Sequence, residues 1–162
     1  FEVIPGMSAT ALAVSLSGLQ SYKFGRQVTL PYPYGEYLAT SPLEMIETNR
    51  SSGLHTLVLL DLDPTGMGFD LPTPMRPDQA VSILGRMAER AHEERDASKG
   101  DPAAVRDWDG ILLSDIGTSN QRVSSGSLDD VSNFEGGYVH TLIIPSNMSD
   151  NEKDAFRRRN MS

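Results

Sequence analysis

The chain has 162 residues, 22 acidic against 14 basic side chains for a formal net charge of -8, 38% hydrophobic residues and no cysteine. That length suits one domain able to bury about two thirds of the surface its unfolded form exposes. The acidic excess argues against a general phosphate-binding surface, and the lack of cysteine excludes disulfides, thiolate metal sites and cysteine nucleophiles.

No apolar run approaches the roughly 20 residues of a membrane-spanning helix, and a cytoplasmic address is the simpler expectation. The chain opens Phe1-Glu2-Val3-Ile4-Pro5, with neither an initiating Met nor the apolar stretch of a signal peptide, so a segment is expected upstream. From Ser8 to Gln20, Ala11, Leu12, Leu16 and Leu19 form a helical stripe, with Ser8 as N-cap and Gly18 near the end. Gln27 to Pro31 is short and β-branched, a strand stopped by Pro31 and Pro33. Ser41-Pro42-Leu43-Glu44 reads as a capping box with proline at the first helical position, and Gly53 closes that helix.

His55 to Leu62 reads as a buried strand, followed by an exposed loop from Asp63 to Met75. Asp78 to about Ala97 is the longest helix, buried through Ala80, Leu84, Met87 and Ala91 with Val81, Ile83 and Ala88. Gly110 to Ile116 and Val139 to Ile144 are two further strands, with a short helix from Ser127 to Phe134 between them. Ser149-Asp150-Asn151-Glu152 repeats the capping-box logic for a last helix, and Arg157-Arg158-Arg159 complements its carboxyl end. Disorder is expected in 99–105 and 63–74. The alternation predicts an α/β domain, a mostly parallel or mixed sheet flanked by helices.

Such sheets bind ligands at the carboxyl ends of their strands, here near Leu60-Asp61, Ile116-Gly117 and Pro145. Asp61 and Asp63 read either as a carboxylate pair or, preferably, as strand-end and turn residues. His55, His92 and His140 match no metal-ligand spacing; two open strands, and His92 is expected to be exposed. Ser8 lacks the second glycine of a hydrolase nucleophile elbow. Gly117-Thr118-Ser119-Asn120 has the composition of a ligand-cradling loop without phosphate-loop spacing, and Gly66-Met67-Gly68 reads as plain loop. Residue chemistry alone therefore stops at a soluble α/β domain.

Two blocks go further. Gly18-Leu19-Gln20-Ser21-Tyr22-Lys23-Phe24-Gly25, then Asn49-Arg50-Ser51-Ser52-Gly53-Leu54-His55-Thr56-Leu57-Val58-Leu59-Leu60-Asp61-Leu62, resemble the diphthine synthase family, with the spacing of its archaeal members. Gly136-Gly137-Tyr138-Val139-His140-Thr141-Leu142-Ile143-Ile144-Pro145 is similar to the family's last core strand. Val3-Ile4-Pro5-Gly6-Met7-Ser8-Ala9 resembles the turn joining the two domains of tetrapyrrole methylase-like enzymes. The resemblance implies that residues 1–162 are the C-terminal domain of a two-domain methyltransferase dependent on S-adenosyl-L-methionine (SAM), inert without an upstream N-terminal domain.

The family acts on the modified histidine of translation elongation factor 2, in diphthamide biosynthesis, releasing S-adenosyl-L-homocysteine; a homodimer is a further expectation. Carried over position by position, cofactor contacts fall on Ala9, Thr10, Leu60, Ile116 and His140, with no catalytic side chain and no metal. Ala9 and Thr10 stand where the family has Ser and Ile, and Ser114-Asp115-Ile116-Gly117 keeps only the glycine of an Ala-Arg-Ala-Gly motif. Methylation of a corrinoid or porphyrin, suggested by Pro5-Gly6-Met7-Ser8, and a non-catalytic binding or dimerising module are the alternatives.

Overall fold

The computed structural model describes residues 2, 4, 6–65, 68, 71–94 and 102–160. Among the described residues, five α-helices, α1 (Ala9–Ser17), α2 (Ser41–Ser51), α3 (Pro77–Glu94), α4 (Leu128–Ser132) and α5 (Asp150–Arg157), are interspersed with five strands. The strands are β1 (Val28–Leu30), β2 (Thr56–Leu60), β3 (Asp109–Ser114), β4 (Arg122–Ser127) and β5 (His140–Ile144). They form one mixed sheet in the order β1-β2-β5-β3-β4, in which β1 and β2 run parallel and every other neighbouring pair is antiparallel.

Alternate residues of the central strands feed two cores, because successive strand side chains point to opposite faces. Val58, Leu60, Leu112, Leu142 and Ile144 pack with α2, α3 and α4 residues such as Ile46, Leu84, Met87 and Leu128. Leu57, Ile111, Leu113 and Ile143 pack on the other face with Ala13 and Leu19, against which Leu16 and Phe156 close. The result is a sheet between two helical layers, as the alternating pattern predicts.

Local signals explain most element ends. Ser8 caps α1 by accepting from the Ala11 amide at 3.5 Å, and Gly18 (φ 75°) ends it. The buried positions of α1 are Ala13 and Ser17, whereas Ala11 is exposed, so the expected stripe is rotated on the helix. α2 starts one residue earlier than its capping box implies: Thr40 is the N-cap, and its carbonyl takes the Glu44 amide at 3.2 Å. α3 buries the whole expected stripe; its predicted extension over 95–97 lies outside the described residues, as does 99–101. Val105 is buried in a short 3-10 turn, and Met75 in the core, so neither behaves as exposed loop.

β4 is absent from the expectation. Arg122-Val-Ser-Ser-Gly-Ser has no apolar alternation, but as an edge strand it needs only one pairing side, and the Asn160 region covers part of its outer edge: the Ser125 amide donates to the Arg159 carbonyl at 2.8 Å. Arg159 also donates to the Ser17 and Ala155 carbonyls, both at 3.0 Å, which ties the carboxyl ends of α1 and α5 together.

One buried polar cluster holds the amino ends of α5 and β2 to the segment after α1. Glu152, 1% exposed, accepts from the Gln20 amide at 2.9 Å, the His55 Nε2–H at 2.9 Å, the Lys23 ammonium at 2.9 Å and the Ser149 amide at 2.7 Å. The Ser146 amide donates to His55 Nδ1 at 3.0 Å, which fixes the neutral Nε2–H tautomer. Burial lowers the pKa of His55 and outweighs the hydrogen bond and charge of Glu152; burial also lowers that of His140, against the opposing charge of Asp115. The unfolded chain therefore binds protons below about pH 6.5 that the folded histidines refuse, so stability is complete above that value and declines as pH falls through it. Denaturant midpoints measured from about pH 7.5 down to about pH 5 should fall, and less steeply in His55→Gln; a flat profile would exclude neutral buried histidines.

Candidate functional site

β2 ends at Leu60, its antiparallel neighbour β5 begins at His140, and β3 ends at Ser114, so these residues share one end of the sheet. The amino end of α1 lies there too: a Cβ on Gly117 would meet the Leu12 side chain at 3.5 Å. All five expected cofactor positions are thus at this end, spread over both faces. Leu60 closes the α2–α4 core and His140, also nearly buried, opens toward a groove on that side. Ile116 packs with the α1–α5 core; Ala9 is exposed, and the half-buried Thr10 bonds the Ser8 hydroxyl at 2.9 Å.

The groove has a volume of about 710 Å³ and runs between the 72–79 segment and the 132–138 segment. His140 is the one expected position that lines it. Arg76, Gln79, Phe134 and Tyr138 line it as well and were not legible as site residues. Their spacing in the chain carries no motif; the fold brings the two segments together, through the Tyr138 hydroxyl donating to the Pro72 carbonyl at 3.0 Å. Arg76 pairs with Asp78 at 2.8 Å, and that hydrogen bond holds the Asp78 carboxyl below its ordinary pKa.

His140 is fixed on three sides. Ser114 Oγ lies 2.8 Å from its Nδ1, the Phe134 ring meets it edge-on at 6.3 Å between centroids, and Gly137 comes against its Cε1. Asp115 follows with a left-handed backbone (φ 50°); its carboxylate takes the Val139 and Tyr138 amides, which hold its pKa below the usual value. Asp61 and Asp63 are turn residues, as preferred. Asp61 accepts from the Tyr32, Leu62 and Asp63 amides, and Asp63 from Thr65 and Gly68. His55 and His140 stand at opposite ends of the sheet; His92 is half-buried rather than exposed, its Nδ1 lacking a hydrogen bond. Gly117-Thr118-Ser119-Asn120 is an exposed turn, and Gly66 and Met67 lie outside the described residues.

The groove has the dimensions of a small-molecule site. Its volume is within the roughly 300–1,000 Å³ usual for ligand sites, and it combines an apolar ring with a few convergent polar groups. Among the described residues no helix is long and apolar enough to cross a membrane.

No family model matches the chain. A diphthine synthase of Saccharolobus solfataricus is 32% identical over 157 residues, which are 96% of this chain and 55% of that protein. A diphthine synthase of Methanocorpusculum labreanum is 32% identical over 157 residues, 96% of this chain and 56% of its own. A crystal structure of a diphthine synthase superposes with a TM-score of 0.75 at 23% identity, covering 97% of this chain and 53% of that one, a likeness that shows the fold. The resemblance read from the two sequence blocks thus extends along nearly the whole chain, and the mixed sheet flanked by helices is a tetrapyrrole methylase-like fold. The chain spans a little over half the length of the curated relatives it matches.

Proposed function

We propose that this chain is the C-terminal domain of a SAM-dependent methyltransferase that methylates the modified histidine of translation elongation factor 2 in diphthamide biosynthesis. What carries the reading is the likeness to diphthine synthases over 96% of the chain, joined to the clustering of the five cofactor positions at one end of the sheet. The relatives' remaining half would supply the facing wall of the cofactor cleft, and the 162-residue chain by itself would not turn over. A homodimer working in the cytoplasm belongs to the same proposal.

Bound SAM supplies an already activated methyl group on a sulfonium, so the protein's task is mostly positioning. Leu60 would back the site from the core at the strand end, His140 would offer a hydrogen-bond donor with the Phe134 ring beside it, and the start of α1 would offer the backbone amides of Ala9 and Thr10, which have no hydrogen-bond partner among the described residues. SAM held beside His140 and Phe134 would present its methyl group to the acceptor amine and leave as S-adenosyl-L-homocysteine, with any amine proton lost to solvent. None of these steps requires a catalytic acid or base from this half.

Calorimetry of the full-length protein with SAM tests the reading. Saturable binding is expected, weakened about tenfold in His140→Ala through loss of one buried hydrogen bond and its packing. A wild-type protein that binds no SAM would remove the basis of the proposal.

A further inference from the structure

Resting on the reading of His140 as a cofactor contact, we infer that Ser114 and Asp115 are positioning residues: Ser114 sets the tautomer of the His140 imidazole, and Asp115 holds the 136–139 wall against it. Ser114 and His140 are the last cross-strand pair of β3 and β5. The Ser114 side chain is buried, and its one hydrogen bond among the described residues goes to His140 Nδ1. Were the proton on Nδ1, the Ser114 hydroxyl hydrogen would lie buried with no acceptor, an arrangement native structures avoid. The hydroxyl therefore donates to Nδ1, and Nε2 keeps its hydrogen as the donor available to whatever occupies the groove. Burial keeps the ring neutral, which preserves this polarity at physiological pH.

Asp115 extends the pairing one step past the end of the ladder. Its amide donates to the Val139 carbonyl at 2.8 Å, while its carboxylate accepts from Tyr138 at 3.0 and 3.1 Å and from Val139 at 2.9 Å. Reaching both amides requires the left-handed backbone that Asp115 adopts, a conformation Asp and Asn tolerate better than most residues. The clamp holds Gly137 (φ 75°) against the pair: a Cβ on Gly137 would stand 2.9 Å from Ser114 Cβ and 3.0 Å from His140 Cε1.

The test is the ¹⁵N imidazole spectrum of His140 in the full-length protein, with SAM affinity and the steady-state constants measured in parallel. Wild type is expected as the Nε2–H tautomer; a wild-type Nδ1–H spectrum overturns the inference before any variant is made. Ser114→Ala should give a tautomer mixture and raise the Kd for SAM about two- to tenfold, with Ser114→Thr restoring both. Asp115→Gly keeps the backbone conformation and removes the clamp, so KM for SAM should rise more than kcat falls, and Asp115→Asn should recover part of the loss. An unchanged tautomer and Kd in Ser114→Ala would sink the inference even if SAM binding depends on His140. If instead His140→Ala leaves SAM binding intact while Ser114→Ala still shifts the tautomer, the cofactor reading fails and the positioning stands.

Discussion

Glu152→Ala is expected to destabilise the domain by about 3–5 kcal/mol, the cost usual for removing one partner of a buried, hydrogen-bonded charge pair. Both carboxylate oxygens are in use, Oε1 by Gln20 and His55 and Oε2 by Lys23 and Ser149. Truncation leaves two backbone amides and an imidazole N–H buried without acceptors. Burial would raise the Glu152 pKa, yet the donors from Gln20, Lys23, Ser149 and His55 override it and hold the carboxyl far below its ordinary range. Its contribution to stability is therefore present above about pH 4.3 and is lost as pH falls toward the depressed folded value. Glu152→Gln should cost less than alanine but more than a surface change, because its amide group would face the Ser149 amide and the Lys23 ammonium. Chemical denaturation of both variants measures this, and a loss below about 1 kcal/mol in Glu152→Ala would mean that water replaces the carboxylate.

The second large effect is expected at Gly25 and Asn49. Asn49 is buried; its Nδ2 donates to the Arg26 carbonyl at 2.9 Å and to Thr56 Oγ1 at 3.0 Å, and its Oδ1 accepts from the Arg26 amide at 3.2 Å. A Cβ at Gly25 would lie 2.3 Å from that oxygen. Asn49→Ala should cost about 2–3 kcal/mol through unsatisfied backbone groups, and Gly25→Ala a similar amount by displacing the side chain. In the double variant the methyl fills space the amide has vacated, so its cost should fall well short of the sum, a coupling that a double-mutant cycle reads directly. Strict additivity would mean that the close packing is relieved elsewhere.

These two clusters show what the family blocks encode. Gly18 to Gly25 and Asn49 to Leu62 meet where the Gly25 amide donates to the His55 carbonyl and the His55 amide to the Lys23 carbonyl. Their contact builds the end of the sheet opposite Leu60 and His140: His55 and Leu60 are five residues apart along an extended chain, roughly 16 Å. The blocks thus carry the resemblance mainly through a structural junction, while most of the proposed cofactor positions fall in shorter stretches whose pattern fades. His140, the cofactor contact proposed from the resemblance, was legible there as the opening residue of the last strand. Ser114 and Asp115 were not, because their role depends on a positive φ and on the approach of Gly137, which only the folded chain displays.

The same division holds for the fold. Helices with caps or a strong apolar stripe, α1, α3 and α5, were readable because local chemistry and packing agree. The antiparallel insertion of β5 between β2 and β3 had no local signal. Nor did β4, which is paired along one edge and covered at Ser125 by residues 156–160 on the other. Met75 read as loop because it follows two prolines and a threonine; it is buried because the 71–76 segment folds back over the sheet, the Met75 amide donating to the Asp61 carbonyl at 2.9 Å.

The most direct measurement is mass spectrometry of the acceptor. Elongation factor 2 carrying the precursor side chain, incubated with the full-length protein and SAM, should gain methyl groups on the modified histidine, and the gain should fall in His140→Ala and Ser114→Ala. An elongation factor that stays unmodified while a corrinoid or porphyrin in the same panel is methylated, or while every acceptor is left untouched by a SAM-binding protein, would contradict the assignment.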